Sequence, residues 1–211
     1  MKMILLGAPG AGKGTHGEAI AEFIKAPIIG TGQIIRDTIK SGSETGKRFK
    51  EYTANGGLIP DEEVVKIVAE RLKQPDCANG FVLDGFPRTV AQAEMLEQMV
   101  GAVNEVLYLE ISDEEIIERM GGRRTCSKCG ASFHVTHHPP KVEGICDRCG
   151  GELIIREDDA PETVLNRLAI YHEQTEPVVE FYRSRGVVTE VNSAQEVHKV
   201  RKDILAALRL H

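Results

Sequence analysis

Residues 3–15 read MILLGAPGAGKGT. A short apolar run ends in a turn carrying Gly7, Gly10, Gly12 and Gly14, and Lys13 opens an amphipathic stretch that runs to Ile24. A glycine-rich turn between a strand and a helix can point successive peptide N–H groups at a phosphate, and the helix adds the positive end of its dipole. The glycines permit unusual backbone angles and close approach, and Lys13 supplies a point charge. The stretch therefore commits the chain to a strand–loop–helix unit, the kind of unit from which parallel sheets are built. A plain strand-to-helix turn would not need this density of glycine beside a lysine. The common phosphate-loop pattern, G-x-x-x-x-G-K-[ST], has a hydroxyl directly after the lysine. Here Gly14 takes that place and the hydroxyl follows at Thr15.

The same alternation continues along the chain. Lys2–Leu6, Pro27–Ile29, Phe81–Asp84, Glu105–Glu110 and Val187–Val191 read as strands. Residues 13–24, 31–40, 61–73, 89–99, 113–120, 161–185 and 194–208 read as helices. Asp61 and Ser112 are placed as N-caps with acids in the first turn. Strands alternating with helices predict an α/β fold with a mostly parallel sheet of five strands, flanked by helices. At 211 residues, with 41% hydrophobic and 27% charged content, one main domain with insertions is expected. A net charge of −6 argues against a nucleic-acid binder, which would be basic. No apolar run approaches the roughly 18 to 20 residues of a membrane span, and the N-terminal run is too short for a signal peptide. A cytoplasmic protein acting on neither membrane nor nucleic acid is expected.

Two segments break the rhythm, residues 30–59 and 121–159. The second holds Cys126, Cys129, Cys146 and Cys149 in the spacing C-x2-C-x16-C-x2-C. That spacing reads as zinc, with iron as a possible occupant of the same site and paired disulfides as the alternative. Four thiolates close a tetrahedron, so the metal would be structural. It would order a segment too short to build its own core, and so make a rigid lid that excludes water. Residues 119–156 carry a net charge of +4 while the rest of the chain carries −10, concentrating cations where phosphates would go. His134, His137 and His138 are read as solvent-exposed loop histidines, and Cys77 as an ordinary loop cysteine.

The segment VLDGFPRT follows the third strand. Asp84, at that strand's end, is placed to hold the water shell of a magnesium ion near the phosphates. Arg88 would face the same crevice. The motifs GxPGxGKGT and DGFPR together resemble the nucleoside monophosphate kinases, and among them the adenylate kinases of the long-lid bacterial type with a four-cysteine zinc lid. TGQIIR, GGRR, REDD and NRLAIYHEQTEP (beginning at Thr31, Gly121, Arg156 and Asn166) are similar to segments of that family, so the likeness runs from Met1 into the C-terminal helix.

The resemblance implies a P-loop core (1–29, 60–121 and 160–211), an AMP-binding insert (30–59) and a zinc-binding lid (122–159). It implies ATP contacts at Gly10, Ala11, Gly12, Lys13, Gly14, Thr15, Arg119, Arg123, Ser132, Phe133 and Gln195. AMP contacts would be Thr31, Arg36, Gly57, Leu58, Ile59, Gly85, Arg88, Gln92, Arg156 and Arg167. It also implies the reaction MgATP + AMP ⇌ 2 ADP in a monomer. Chemistry agrees independently. A phosphate acceptor is mostly ionised at neutral pH, its second pKa lying near 6, so no general base is needed. What is needed is a set of cations that lets two anionic phosphates meet in line. Lys13, Arg88, Arg123, Arg156 and Arg167 are the expected clamp. One position departs from the family pattern: Gln33 stands where an Asp is usual, which removes a charge from the magnesium environment. A kinase for another nucleoside monophosphate, and a zinc-ribbon nucleic-acid module, are the alternatives. The second leaves the phosphate loop, DGFPR and the acidity unexplained.

Overall fold

In the computed structural model, which describes every residue except Asn55, Leu210 and His211, strand β1 (Lys2–Leu6) is buried along nearly its whole length. It lies at the centre of a sheet that also contains β2 (Ile28–Gly30), β3 (Phe81–Asp84), β4 (Glu105–Glu110) and β8 (Val188–Asn192). The order is β2-β3-β1-β4-β8 and all pairings are parallel. Met3 sits between Val82 on one neighbour and Glu105 on the other.

Because side chains alternate across a strand, Met3 and Leu5 face one side and Ile4 and Leu6 the other. Met3 and Leu5 pack with residues of α1 (Lys13–Ile24) and α9 (Val197–Arg209). Ile4 and Leu6 pack with residues of α4 (Asp61–Leu72), α5 (Val90–Val100) and α8 (Glu176–Arg183). Helices on both faces explain why β1 reads as an unbroken apolar run rather than an alternating one.

The first inserted segment holds α2 (Thr31–Lys40) and α3 (Glu44–Thr53). The second of these was not anticipated. It starts at an N-cap, Ser43, whose hydroxyl accepts from Gly46 N at 3.1 Å, and is anchored by the buried Phe49. One large buried side chain in ten residues leaves no apolar period to read. The second insert follows α6 (Asp113–Gly122) and is a three-stranded antiparallel sheet, order β6-β5-β7, of β5 (Arg123–Cys126), β6 (Ser132–His134) and β7 (Leu153–Ile154). Asn55 of the expected AMP insert and the last two residues of the expected core segment lie outside the described residues.

Three local expectations are corrected. Residues 161–185 form α7 (Pro161–Ile170), a π-helical turn (Tyr171–Thr175) and α8 rather than one regular helix. Pro177 has no N–H to give to the preceding turn, and the wider turn absorbs the mismatch. Asp61 is the first residue of α4, with Pro60 as N-cap. Its carboxylate instead accepts from Thr89 Oγ1 (3.1 Å) and Gln92 Nε2 (2.7 Å), joining α4 to α5. Helix α9 begins at Val197 rather than Ala194, because Asn192 takes the next backbone donor: its Oδ1 accepts from Ala194 N at 2.8 Å. Ser112 caps α6 as expected, accepting from Glu115 N.

Candidate active site and metal centre

The carboxyl ends of β1, β2 and β3 open into one cleft of about 1910 Å³, the place where parallel sheets present their loops. The turn after β1 needs glycine for two distinct reasons. At Gly7 (φ +143°) a Cβ would stand 2.7 Å from the Leu109 carbonyl oxygen. Gly12 (φ +96°) is the left-handed N-cap of α1. Gly14 differs from the expectation: its φ is not left-handed, and a Cβ there would meet only Asp84 Oδ2, at 3.9 Å.

Lys13 Nζ donates to the carbonyls of Gly7 (2.6 Å) and Ala8 (2.8 Å), so the lysine lies across its own loop. Burial pulls its pKa down to about 8; Asp84 works against this, and Arg88, Arg167 and Arg123 work with it. A lysine this crowded by other cations is strongly receptive to a polyanion.

Ala11, Thr31, Ile59 and Gln92 excepted, the expected nucleotide contacts line this cleft. The Ala11 carbonyl accepts from the buried Ser193 hydroxyl. Thr31 is buried, and its Oγ1 has no hydrogen-bond partner among the described residues. Ile59 packs in the core beside α4. Gln92 is a brace: its Oε1 accepts from Arg88 N (2.7 Å) while its Nε2 donates to Asp61. Arg88 itself bonds the Gly85 carbonyl through Nε at 2.9 Å, and its pKa is lowered by burial. Burial also lowers Arg36 to about 10, with Arg156 adding to the effect, and Arg167 to about 10.

So many cations in one cleft require counterions, and sequence reasoning did not single them out. Asp159, almost fully buried, accepts a two-pronged contact from Arg123, with Nε to Oδ2 at 2.7 Å. Asp158 accepts from Arg156 Nε at 2.7 Å and from Arg167 Nη1 at 3.0 Å. Burial alone would raise the Asp158 pKa. The Arg156 hydrogen bond and the charges of Arg156, Arg167 and Arg123 override it and hold the carboxyl at about 2. The available signal was the pair of acids in REDD, next to a segment otherwise rich in cations.

The four expected metal ligands are brought together. Their sulfurs lie within 4.8 Å of one another, with Cys126 Sγ 3.5 Å from Cys149 Sγ and Cys129 Sγ 3.7 Å from Cys146 Sγ. A tetrahedron with metal–sulfur bonds of about 2.3 Å has edges of about 3.8 Å, so the cluster fits zinc closely. All four are free thiols, not disulfides. Peptide N–H groups of Cys129 and Lys128 help draw the Cys126 thiol below its ordinary value, while the crowding of sulfurs pushes the Cys129 thiol up. Among the described residues, Cys126, Phe133 and Cys146 form a small buried core around the cluster, with Ala131 and Leu153 packed against it.

The lid also touches the first insert. A Cβ on Gly130 would stand 2.8 Å from Gln33 Oε1, and Lys40 Nζ donates to Ser127 O at 3.4 Å. His137 and His138 are exposed as expected, but His134 is half-buried, its Nδ1 accepting from Thr136 N and His137 N at 3.1 Å each. Cys77 is buried, with Arg71 Nη1 3.0 Å from its sulfur.

Comparison with known proteins adds the family. A family profile described as adenylate kinase matches residues 5–187. The chain is 51% identical to an adenylate kinase of Caldicellulosiruptor saccharolyticus, covering 99% of both chains. It is 50% identical to one of Acetivibrio thermocellus, over 99% of this chain and 98% of the relative. An adenylate kinase of Archaeoglobus fulgidus is 46% identical over the same shares. With a glycine loop, an arginine-lined cleft and a cysteine lid on a five-stranded parallel sheet, this chain belongs to the adenylate kinase family.

Proposed function

We propose that this chain catalyses MgATP + AMP ⇌ 2 ADP, with the donor triphosphate on the glycine loop and the acceptor against α2 and the β3–α5 turn. The observation that carries the reading is the convergence of Lys13, Arg88, Arg123, Arg156 and Arg167 on one cleft. Lys13 exchanges its two loop carbonyls for donor phosphate oxygens. Arg88, fixed by Gly85 and Gln92, orients the acceptor phosphate. Arg123, Arg156 and Arg167 leave Asp158 and Asp159 in part to grip the transferring group, since a polyphosphate offers more negative charge than the two carboxylates. No side chain takes a proton, because the attacking phosphate oxygen is already ionised. Thr31, with its buried unpartnered hydroxyl, and Arg36 complete the acceptor side; Gly57, Leu58 and Ile59 bound it. Arg119, Ser132, Phe133 and Gln195 hold the donor nucleoside.

Asp84 is the residue to hold magnesium through its water shell, since its carboxylate faces Gly14 across the loop. Magnesium bound with the nucleotide supplies partial neutralisation of the polyphosphate. The four thiolates would hold zinc as a structural cross-link of the lid. The functional units are then a core of residues 1–29, 60–121 and 160–211, an AMP insert of 30–59 and a lid of 122–159, in a cytoplasmic monomer. Among the described residues no helix is long and apolar enough to cross a membrane. A coupled assay with ATP and each of AMP, CMP, UMP and GMP tests the reading. ADP formation with AMP as the preferred acceptor is expected. A preference for another acceptor would reassign the substrate, and no product from any acceptor would overturn the reading.

A further inference from the structure

Away from the arginine clamp, the cleft is bounded by Arg119, Ser193, Gln195 and Arg201, and His16 borders it. His16 follows Thr15 on α1 and is only 4% exposed. Its Nδ1 is sealed from solvent and has no hydrogen-bond partner among the described residues. The other edge of the ring lies against the glycine loop: a Cβ on Gly12 would stand 3.3 Å from His16 Cδ2, 3.5 Å from Nε2 and 3.7 Å from Ser193 Oγ. Ser193 ties this corner together. Its hydroxyl donates to the Ala11 carbonyl, and its own carbonyl accepts from Arg119 Nη2 at 2.6 Å.

Burial, aided by Arg201 and Arg119, pulls the His16 pKa down to about 4, so the ring is neutral near pH 7 and carries one N–H. An orphaned buried donor is rarer in proteins than an under-satisfied acceptor, which puts the proton on Nε2, beside Gly12. An unpaired polar atom in a sealed site is destabilising, and a leucine of similar size would avoid the cost. That cost stays at Nδ1 with or without ligand, so a histidine makes physical sense here if its other nitrogen, Nε2, gains a partner on the ligand that offsets it.

Building on the donor-site reading above, we propose that His16 is a further binding residue for the donor nucleotide, its Nε2–H donating to an oxygen on the nucleoside side of the triphosphate, at the α-phosphate or the ribose.

Steady-state kinetics and imidazole 15N spectra of the full-length protein test this. His16→Leu should raise KM for ATP roughly five- to tenfold, the loss of one hydrogen bond, and leave KM for AMP within about twofold. His16→Gln, whose amide can donate from a similar place, should recover most of the loss. In the wild-type protein, saturating ATP should shift the His16 Nε2 resonance, assigned by its absence from the Gln variant. Inorganic tripolyphosphate should reproduce the shift if the partner is a phosphate oxygen and fail to do so if it is the ribose. An unchanged KM for ATP in His16→Leu, or an unmoved His16 resonance at saturating ATP, would overturn the proposal. Because the spectra need no turnover, they read His16 even if the reaction assigned above proves wrong.

Discussion

The central sheet and the lid sheet lie in one chain but are ordered by different means. The central sheet has helices on both faces and buries Met3, Ile4, Leu5, Val82, Leu83, Val106 and Leu107 almost completely. The lid sheet buries Phe133, Cys126 and Thr125, with Cys146 packed beside them, while Val135, Val142, Ile145, Ile154 and Ile155 of the lid stay exposed. A sheet covered on both faces draws its stability from many small hydrophobic contributions. A sheet whose one large buried apolar side chain is Phe133 has no such reserve, and its order falls to four sulfurs around one point. A lid ordered this way can stay rigid internally while it moves against the core.

Removing the metal should break the comparison most visibly. Structural zinc contributes about 10–16 kcal/mol in isolated zinc-binding peptides, so chelation should abolish amide-exchange protection in residues 123–154 and leave β1 and β3 protected. Lid amides that remain protected after demonstrated metal loss would refute a metal-ordered lid. The complementary cut is Leu83→Ala. It should cost about 2–5 kcal/mol of global stability by denaturant melts while leaving the cysteine site able to bind metal. A loss below about 1 kcal/mol would show that the sheet tolerates a cavity the packing argument forbids.

Lys13→Ala separates chemistry from both regions. Turnover should fall roughly 10²–10³-fold, the scale for losing one preorganised donor, with the far-UV spectrum unchanged. Near-normal turnover would remove the loop lysine from its role. Where lid and insert meet, Gln33→Asp should lower the magnesium concentration for half-maximal rate by a few-fold, by restoring a negative charge beside the phosphates. An unchanged or higher requirement counts against that.

The smallest effect concerns His172, in the π-helical turn. Its Nδ1 is 2.9 Å from Glu176 Oε2 and its Nε2 3.0 Å from Asp113 Oδ2, so it bridges α8 to the start of α6, the helix that leads into the lid. The hydrogen bond with Glu176 raises its pKa above 6.5; partial burial opposes this and Asp113 reinforces it. A pKa raised on folding gives a contribution that is full below about pH 6.5 and is lost as pH rises through the folded value. The pair is half-exposed, which keeps the effect at about 1 kcal/mol or less. His172→Gln should flatten this part of the melting-temperature profile above pH 6.5; an identical profile would show the bridge to be inert.

The parts read correctly from sequence share a feature: each was encoded within a few consecutive residues. The glycine loop, DGFPR and the two cysteine knuckles are local signals, and β1, β3 and β4 each carry an apolar run of their own. The two strands misplaced by one residue, β2 and β8, are the sheet's edges, where a single neighbour sets the register. Helix α3 was missed because its one anchor, Phe49, finds its partners in the tertiary core. Gln92, expected among the AMP contacts, also braces Arg88 against Asp61, a use that only the meeting of α4 and α5 reveals.

By itself the sequence determined the repertoire: a phosphate loop on a parallel α/β unit, a four-thiolate lid, and a surplus of cations around residues 119–156. Only the tertiary structure decided how those cations are held, with Asp158 and Asp159 as counterions and Ser193 tying Arg119 to the loop 182 residues away. Local motifs follow from backbone preferences over a few residues. Charge balance depends on distances between groups far apart in the chain, and those are fixed only when the sheet stacks its strands out of sequence order.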